Sequence, residues 1–268
     1  MSNLVKDNMV PEFMRQPGIK EGYRKPSENI WQILASLKQI HNETGNVWTH
    51  LMSGFLFLLL VPYTYHALSE YERKDILFML VFVLSASFCF FGSATYHLFI
   101  CTKKWHYTLR HIDHSGIISM VCASYLPALN RGFKCFPWYQ QLYMGVAIIC
   151  WIFIIIIVPA LDKRERRTQR NIVLFISATW GIIPLTHFCL YGRYGWQMFL
   201  TSTLVMWLVY GLGFLFYVTK WPEIRHAGKF DIWGHSHQYW HLCTIFASLF
   251  WWYTLMKMHR ELPDSIHC

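Results

Sequence analysis

The chain has 268 residues, of which 54% are hydrophobic, 18% aromatic and only 15% charged. This composition is too apolar for an ordinary soluble domain of that length and favours an integral membrane protein. The formal net charge of +9 is compatible with nucleic acid or anionic lipid, but the basic residues lie between apolar stretches rather than on one patch. No nucleic-acid partner is therefore expected.

The first 46 residues are interpreted as a cytosolic segment. Prolines and glycines interrupt residues 1–26, which contain no continuous apolar core of a signal peptide. Ser27 can cap a helix, and apolar residues then recur at helical spacing from Ile30 to Ile40. The pattern predicts a short amphipathic helix over about residues 28–40, either on the membrane surface or packed against the remaining helices.

Seven uncharged or nearly uncharged stretches follow, each close to the roughly 20 residues that a spanning helix needs. They predict an all-α, seven-transmembrane helix bundle over residues 47–256, with a short C-terminal tail over residues 257–268. The predicted spans are residues 47–66, 76–100, 113–130, 138–161, 172–191, 196–219 and 232–256.

The distribution of basic residues predicts the orientation of this bundle. The N-terminal segment and the loops after the second, fourth and sixth spans hold 17 of the 24 Lys and Arg residues. By the positive-inside rule the N-terminus is cytosolic and the C-terminus is extracellular or lumenal. The sequon at Asn42 then faces the cytosol and stays unglycosylated. Cys135 and Cys189 fall near non-cytosolic loops and could pair, although two buried free thiols are the favoured interpretation.

Five polar residues are expected at one depth, in the inner half of the bilayer. His237 and His241 stand four apart, so on a helix they share a face and can chelate one metal ion. His97 lies about 9 Å before the inner end of the second span, with Ser93 one turn earlier. Asp113 opens the third span on the same side. Three separated segments thus bring ionisable or polar groups to the same level.

These residue types are those of a catalytic zinc site. Three neutral imidazoles leave a fourth position for water, and a carboxylate such as Asp113 can accept the proton of that water. Ser93 can hydrogen-bond the water or a developing oxyanion. Each residue taken singly also has a structural interpretation. Asp113 can be an N-cap at the membrane boundary, Ser93 can hydrogen-bond its own helix, and His97 can be a hydrogen-bonded histidine of the interior. A haem is a poorer fit, because its axial histidines stand on opposite faces.

The remaining histidines near the spans are assigned to packing or to the membrane interface. His50 lies at the inner end of the first span and could stand behind the metal ligands, whereas His66 and His187 lie towards the outer side. His235 is next to the pair in the seventh span but points away from the face that His237 and His241 share.

Four motifs resemble those of the progestin and adiponectin receptor family, which consists of seven-span membrane proteins. They are HNETGNVWTH at residues 41–50, SATYH at 93–97, DHSG at 113–116 and SHQYWH at 236–241. The resemblance implies a zinc ion held by His97, His237 and His241, with Asp113 and Ser93 around the zinc-bound water. It implies a receptor for a lipid, a steroid or an extracellular protein hormone, in the plasma membrane or the Golgi. The family is similar to membrane hydrolases that include alkaline ceramidases.

Two functions therefore remain open. The first is a receptor whose zinc site hydrolyses a ceramide-like lipid amide. The second is a receptor or scaffold in which zinc only ties the second and seventh spans together. A transporter ranks lower because no inverted repeat is visible. The branch of the family is open too, since HNETGNVWTH resembles the adiponectin-receptor form whereas VPEF, PGI and GYRKP resemble the membrane progestin-receptor form. The oligomeric state is not predicted.

Overall fold

The computed structural model describes residues 4–163, 166–191 and 195–261, and all regular elements in these ranges are helices. The all-α prediction is confirmed for this part of the chain. The only strand-like pairing among the described residues is a single antiparallel bridge between Val5 and Tyr23. The α-helices are α1 (Ile30–Ala35), α2 (Thr44–Ala67), α3 (Arg73–Phe99), α4 (His106–Gly132), α5 (Pro137–Lys163), α6 (Arg167–Thr179), α7 (Ile182–Tyr191), α8 (Trp196–Thr219) and α9 (Ser236–Glu261).

Several of these helices have the length and composition of membrane spans. Among the described residues, five segments qualify: α2, α3, most of α5, the combined α6 and α7 region, and α8. The chain is therefore an integral membrane protein. Helices α4 and α9, with 27 and 26 residues, are long enough but carry more polar residues, and they overlap the predicted third and seventh spans with different ends. The count of seven spans and the orientation of the termini stay predictions.

The described chain divides into two compact units, each assembled from segments that are far apart in sequence. Unit 1 comprises Met1–Ser53, Phe90–Asp113 and Trp207–Ala247. Unit 2 comprises Gly54–Cys89, His114–Met206 and Ser248–Cys268. All five predicted site residues belong to unit 1.

The N-terminal segment is an integral part of unit 1. Val10, Met14, Ile19 and Tyr23 are buried, and they pack in one apolar cluster with Ile33 of α1, Val47 of α2, and Leu98 and Cys101 at the end of α3. This burial of apolar side chains fixes the segment against the ends of two long helices.

The amphipathic stretch after this segment forms a shorter helix than the pattern predicts. Helix α1 is followed directly by a 3₁₀ turn over Ser36–Lys38. The capping residue is Asn29 rather than Ser27, because the Asn29 side chain accepts the backbone N–H groups of Trp31 and Gln32 at 2.9 and 3.3 Å. Trp31 is 79% exposed, whereas Ile33 is buried.

In unit 2, the predicted fifth span is broken into α6 and α7. Pro184 has no N–H to donate to the carbonyl of Trp180, so the helical hydrogen-bond ladder cannot run continuously past that point. Gly181 lies at the break, where the Tyr125 ring would be 2.6 Å from an added Cβ atom. The Tyr125 hydroxyl donates to the carbonyls of Ser177 and Ala178, at 2.9 and 2.8 Å. Close packing against α4 thus accompanies the break.

The cysteines of unit 2 correct one expectation. Cys189 carries a free thiol, whereas Cys135 is disulfide-bonded. The suggested pairing of Cys135 with Cys189 is therefore wrong. The favoured interpretation of two buried free thiols is wrong for Cys135, and Cys189 is free but only half-buried.

Candidate metal centre

Three histidines meet inside unit 1. Each of His97, His237 and His241 offers one ring nitrogen, and these three atoms lie within 4.8 Å of one another. The Nε2 atoms of His97 and His237 are 3.0 Å apart. His97 lies in α3, and the other two histidines lie in α9. The structure therefore brings together all three imidazoles that the sequence predicts as metal ligands. This buried group could hold one metal ion.

The start of α9 sets the position of two of these histidines. The helix begins at Ser236 rather than at residue 232, so His237 and His241 are its second and sixth residues. The Glu223 carboxylate caps this end, accepting the backbone N–H of Ser236 at 2.7 Å and the Ser236 hydroxyl. A negative side chain at a helix N-terminus satisfies free N–H groups and complements the helix dipole. Glu223 thereby fixes where the histidine face begins.

The His97 ring is oriented by a carboxylate. Its Nδ1 atom lies 2.8 Å from Oε2 of Glu43, and both side chains are almost fully buried. Because an ionised carboxylate only accepts hydrogen bonds, Nδ1 carries the proton and Nε2 keeps its lone pair. A metal-ligating histidine commonly donates its other ring N–H to a carboxylate in this way. Glu43 therefore presents Nε2 of His97 towards the other two imidazoles.

Glu43 is held by further hydrogen bonds. Asn46 donates to Oε2 at 2.7 Å, while Gln16 and Asn42 donate to Oε1. Burial acts to raise the pKa of Glu43, but the hydrogen bonds from His97 and Asn46 outweigh burial and lower the pKa to about 2. The carboxylate is thus ionised behind the metal ligand.

His241 is fixed in the same sense by Thr49. The Thr49 hydroxyl donates to the carbonyl of Gly45 at 2.7 Å and lies 3.2 Å from Nδ1 of His241. With its proton committed to Gly45, the hydroxyl oxygen accepts from Nδ1, which leaves the lone pair on Nε2. That Nε2 atom is buried and has no hydrogen-bond partner among the described residues. A buried nitrogen without a partner is unfavourable, and a metal ion would satisfy it.

Comparison with known proteins gives the same family as the motifs. The family model described as Haemolysin-III related matches residues 38–252, which is most of the chain. The chain belongs to the Haemolysin-III related family. Relatives named for progestin, adipoQ or adiponectin confirm the resemblance to the progestin and adiponectin receptor family, and the protein is of a membrane receptor type.

Several curated proteins are similar to this chain over most of its length. Human "Progestin and adipoQ receptor family member 3" is 30% identical, with 93% of this chain and 85% of the relative aligned. "Heptahelical transmembrane protein 5" of Arabidopsis thaliana is 27% identical over 92% of this chain and 88% of its own length. The "Adiponectin receptor protein" of Drosophila melanogaster is 29% identical over 90% of this chain and 56% of its own.

Asp113 and Ser93 are both buried in the unit that contains the three histidines. They lie where α3 and α4 approach closely, since a Cβ atom on Gly92 would stand 3.2 Å from Cγ2 of Ile112. Asp113 is the eighth residue of α4, which begins at His106. The N-cap interpretation of Asp113 is therefore wrong. The catalytic roles of both residues stay predictions.

Sequence reasoning missed the functional role of the residues at the start of α2. Glu43, which immediately precedes this helix, enters the sequence analysis only within a glycosylation sequon and a family motif, and His50 is assigned there to packing. The His50 ring stacks on His241 with centroids 3.4 Å apart and planes 7° apart, and neither ring nitrogen has a hydrogen-bond partner among the described residues. One signal was available, because Glu43, Asn46 and His50 are spaced to share one face of a helix.

Two other histidines stay outside the centre, as expected. The Nε2 atom of His235 lies 3.2 Å from the carbonyl of Asn42. His187, in unit 2, pairs its Nδ1 atom with the Tyr143 hydroxyl at 2.9 Å.

Proposed function

We propose that this protein is a seven-transmembrane receptor with a zinc site at His97, His237 and His241, and that this site hydrolyses a ceramide-like lipid amide. The N-terminus is cytosolic and the residence is the plasma membrane or the Golgi. The observation that carries the proposal is the buried triad, in which Glu43 and Thr49 hold two of the imidazoles with lone pairs turned inward.

The donor set favours zinc among metal ions. Neutral imidazoles suit zinc, and three protein ligands leave a position open, as in catalytic rather than structural sites. When bound, zinc would supply the Lewis acidity that makes water nucleophilic near neutral pH.

The chain's own residues supply the remaining chemistry. In amide hydrolysis, water adds to the carbonyl carbon, the C–N bond breaks, and a proton passes to the leaving nitrogen. Asp113 accepts the proton of the water and returns it to that nitrogen, and Ser93 hydrogen-bonds the oxyanion. The site is buried in a protein with several membrane-spanning helices, so a lipid reaches it more readily than a polar substrate does.

The names of the relatives support the receptor part of the proposal. "Heptahelical" describes seven helices in the plant proteins, and the human and fly relatives are named for progestin, adipoQ or adiponectin. A steroid, a lipid and an extracellular protein hormone are accordingly the ligand classes to test.

Replacing a ligand tests the proposal. We expect that His237→Ala lowers both bound zinc and the release of free sphingoid base from ceramide by purified protein. The matched control is His226→Ala, since His226 is exposed in the same unit and is not one of the three grouped histidines. A His237→Ala protein that holds no zinc and still cleaves ceramide would exclude hydrolysis at this site.

A purely structural zinc is the second candidate. The ligands come from α3 and α9, and His97 and His237 are 140 residues apart in the sequence. One ion would therefore hold the ends of these two helices together. Asp113→Asn separates the two candidates. A general base is typically worth about 10²–10⁴-fold in rate, so hydrolysis predicts a loss of that order with zinc retained. A structural zinc predicts that zinc content and ligand response are both unchanged.

A further inference from the structure

The N-terminal segment of unit 1 contacts His97 from two directions. One contact reaches the His97 side chain through Glu43, and the other reaches its main chain. We propose that Gln16 and Arg24 are positioning residues for His97, so that metal affinity depends on the N-terminal segment. This inference rests on the metal centre proposed above.

Gln16 reaches the side chain of His97 through one intermediary. Its Nε2 atom donates to Oε1 of Glu43, whose other oxygen accepts Nδ1 of His97 at 2.8 Å. Gln16 is itself anchored, because its backbone N–H donates to the Tyr23 hydroxyl at 2.9 Å and Tyr23 is 1% exposed. One oxygen of the Glu43 carboxylate is therefore hydrogen-bonded to the N-terminal segment, and the other oxygen orients the His97 imidazole.

Arg24 reaches the main chain at the same residue. Its guanidinium donates to the carbonyl of His97 at 2.9 Å, to that of Leu98 at 2.8 Å and to the Ser36 hydroxyl at 2.7 Å. Helix α3 ends at Phe99, so these carbonyls belong to the last turn and lack helical N–H partners. A buried cation at this end also complements the helix dipole. Arg24 therefore fixes the last turn of α3, from which His97 projects.

The two contacts together constrain both the main chain and the side chain of His97. The backbone of His97 is held by Arg24, and the rotation of its ring is held by the Gln16–Glu43 pair. A ligand whose orientation is fixed before the metal arrives loses less freedom on binding, and changes in the groups behind a ligand commonly cost about 10–100-fold in metal affinity.

The test measures zinc affinity of the purified full-length protein by competition with a fluorescent chelator. We expect Gln16→Ala to weaken zinc binding about tenfold, the lower end of that range, because one donor to Glu43 is lost. Gln16→Glu should weaken it further, since it places a carboxylate against the carboxylate of Glu43. The control is Gln32→Glu, which makes the same change at an exposed residue of α1. Arg24→Lys keeps the charge but replaces two donor nitrogens of a planar guanidinium by a single nitrogen, and it should also weaken zinc binding.

A paired substitution separates positioning from general damage to the fold. In the Glu43→Gln background the residue 43 amide can donate to a carboxylate at position 16. Adding Gln16→Glu there should leave zinc affinity unchanged or raise it, whereas the same change in the wild-type background lowers it. Reversal of the effect supports the inference. Wild-type zinc affinity in both Gln16 variants overturns it and leaves the metal centre standing, whereas a wild-type protein that holds no zinc overturns the centre itself.

Discussion

Glu43→Gln is the sharpest probe of the metal centre, because it removes a charge and keeps the size of the side chain. The glutamine oxygen can still accept from Nδ1 of His97 and from Asn46, as Oε2 of Glu43 does at 2.8 and 2.7 Å. The new NH₂ group then faces the amides of Gln16 and Asn42, each of which can rotate to present its oxygen. The hydrogen-bond pattern is therefore preserved while the carboxylate charge is lost.

The expected cost follows from what the charge does for His97. A hydrogen bond to a charged group is worth about 1.5–3 kcal/mol, against about 0.5–1.5 kcal/mol for a neutral one. Loss of a carboxylate behind a metal-bound histidine lowers metal affinity about 10–100-fold, which corresponds to about 1.4–2.8 kcal/mol. We expect Glu43→Gln to weaken zinc binding within that range.

The assay is chelator competition on purified protein, with the thermal midpoint of the metal-free protein measured in parallel to monitor the fold. Glu12→Gln serves as the control, because it makes the same change at an exposed carboxylate of the same unit. Zinc affinity in Glu43→Gln equal to that of the wild type and of Glu12→Gln would refute the role given to Glu43.

Two further predictions concern metal removal and pH. Removing the metal with a chelator should lower the thermal midpoint of the wild-type protein, because a ligand present at 100 times its Kd stabilises the folded state by about 2.7 kcal/mol, and His237→Ala should show no such shift. Glu28 accepts hydrogen bonds from the Thr102 hydroxyl and the backbone N–H of Lys103, which hold its pKa below the ordinary value of 4.5. The contribution of the ionised Glu28 carboxylate to the free energy of unfolding is therefore present above pH 4.5 and is lost as the pH falls through the lowered pKa. The difference in thermal midpoint between the wild type and Glu28→Gln should accordingly shrink towards acid pH.

Local patterns in the sequence were sufficient for much of the fold. The long helices follow the apolar stretches, and the start and end of α8 coincide with the predicted sixth span. Boundaries failed where polar residues extend or cap a helix. Helix α4 runs back to His106 through polar residues that a hydropathy pattern excludes, and α9 starts late because Glu223 caps it at Ser236.

The metal ligands were also within reach of the sequence. The spacing of His237 and His241 gives a shared helix face, and the depth of His97 follows from its distance to a basic loop. The spacing of Glu43, Asn46 and His50 indicates a shared helix face, but it does not show what that face contacts, because the partner of Glu43 lies 54 positions away. The close packing of His50 on His241 was out of reach for the same reason.

The sequence by itself determined an apolar, all-helical membrane protein with three candidate imidazole ligands, because helical periodicity and hydrophobic length are local properties of a chain. The receptor family followed from the resemblance of its motifs. Only the tertiary structure decided which groups stand behind those ligands. The rotation of α2, α3 and α9 about their axes, and their close approach at small residues, depend on packing between distant segments. A Cβ atom on Gly45, for example, would stand 2.5 Å from Nε2 of Gln238, so another residue there would displace the Gln238 amide at the start of α9.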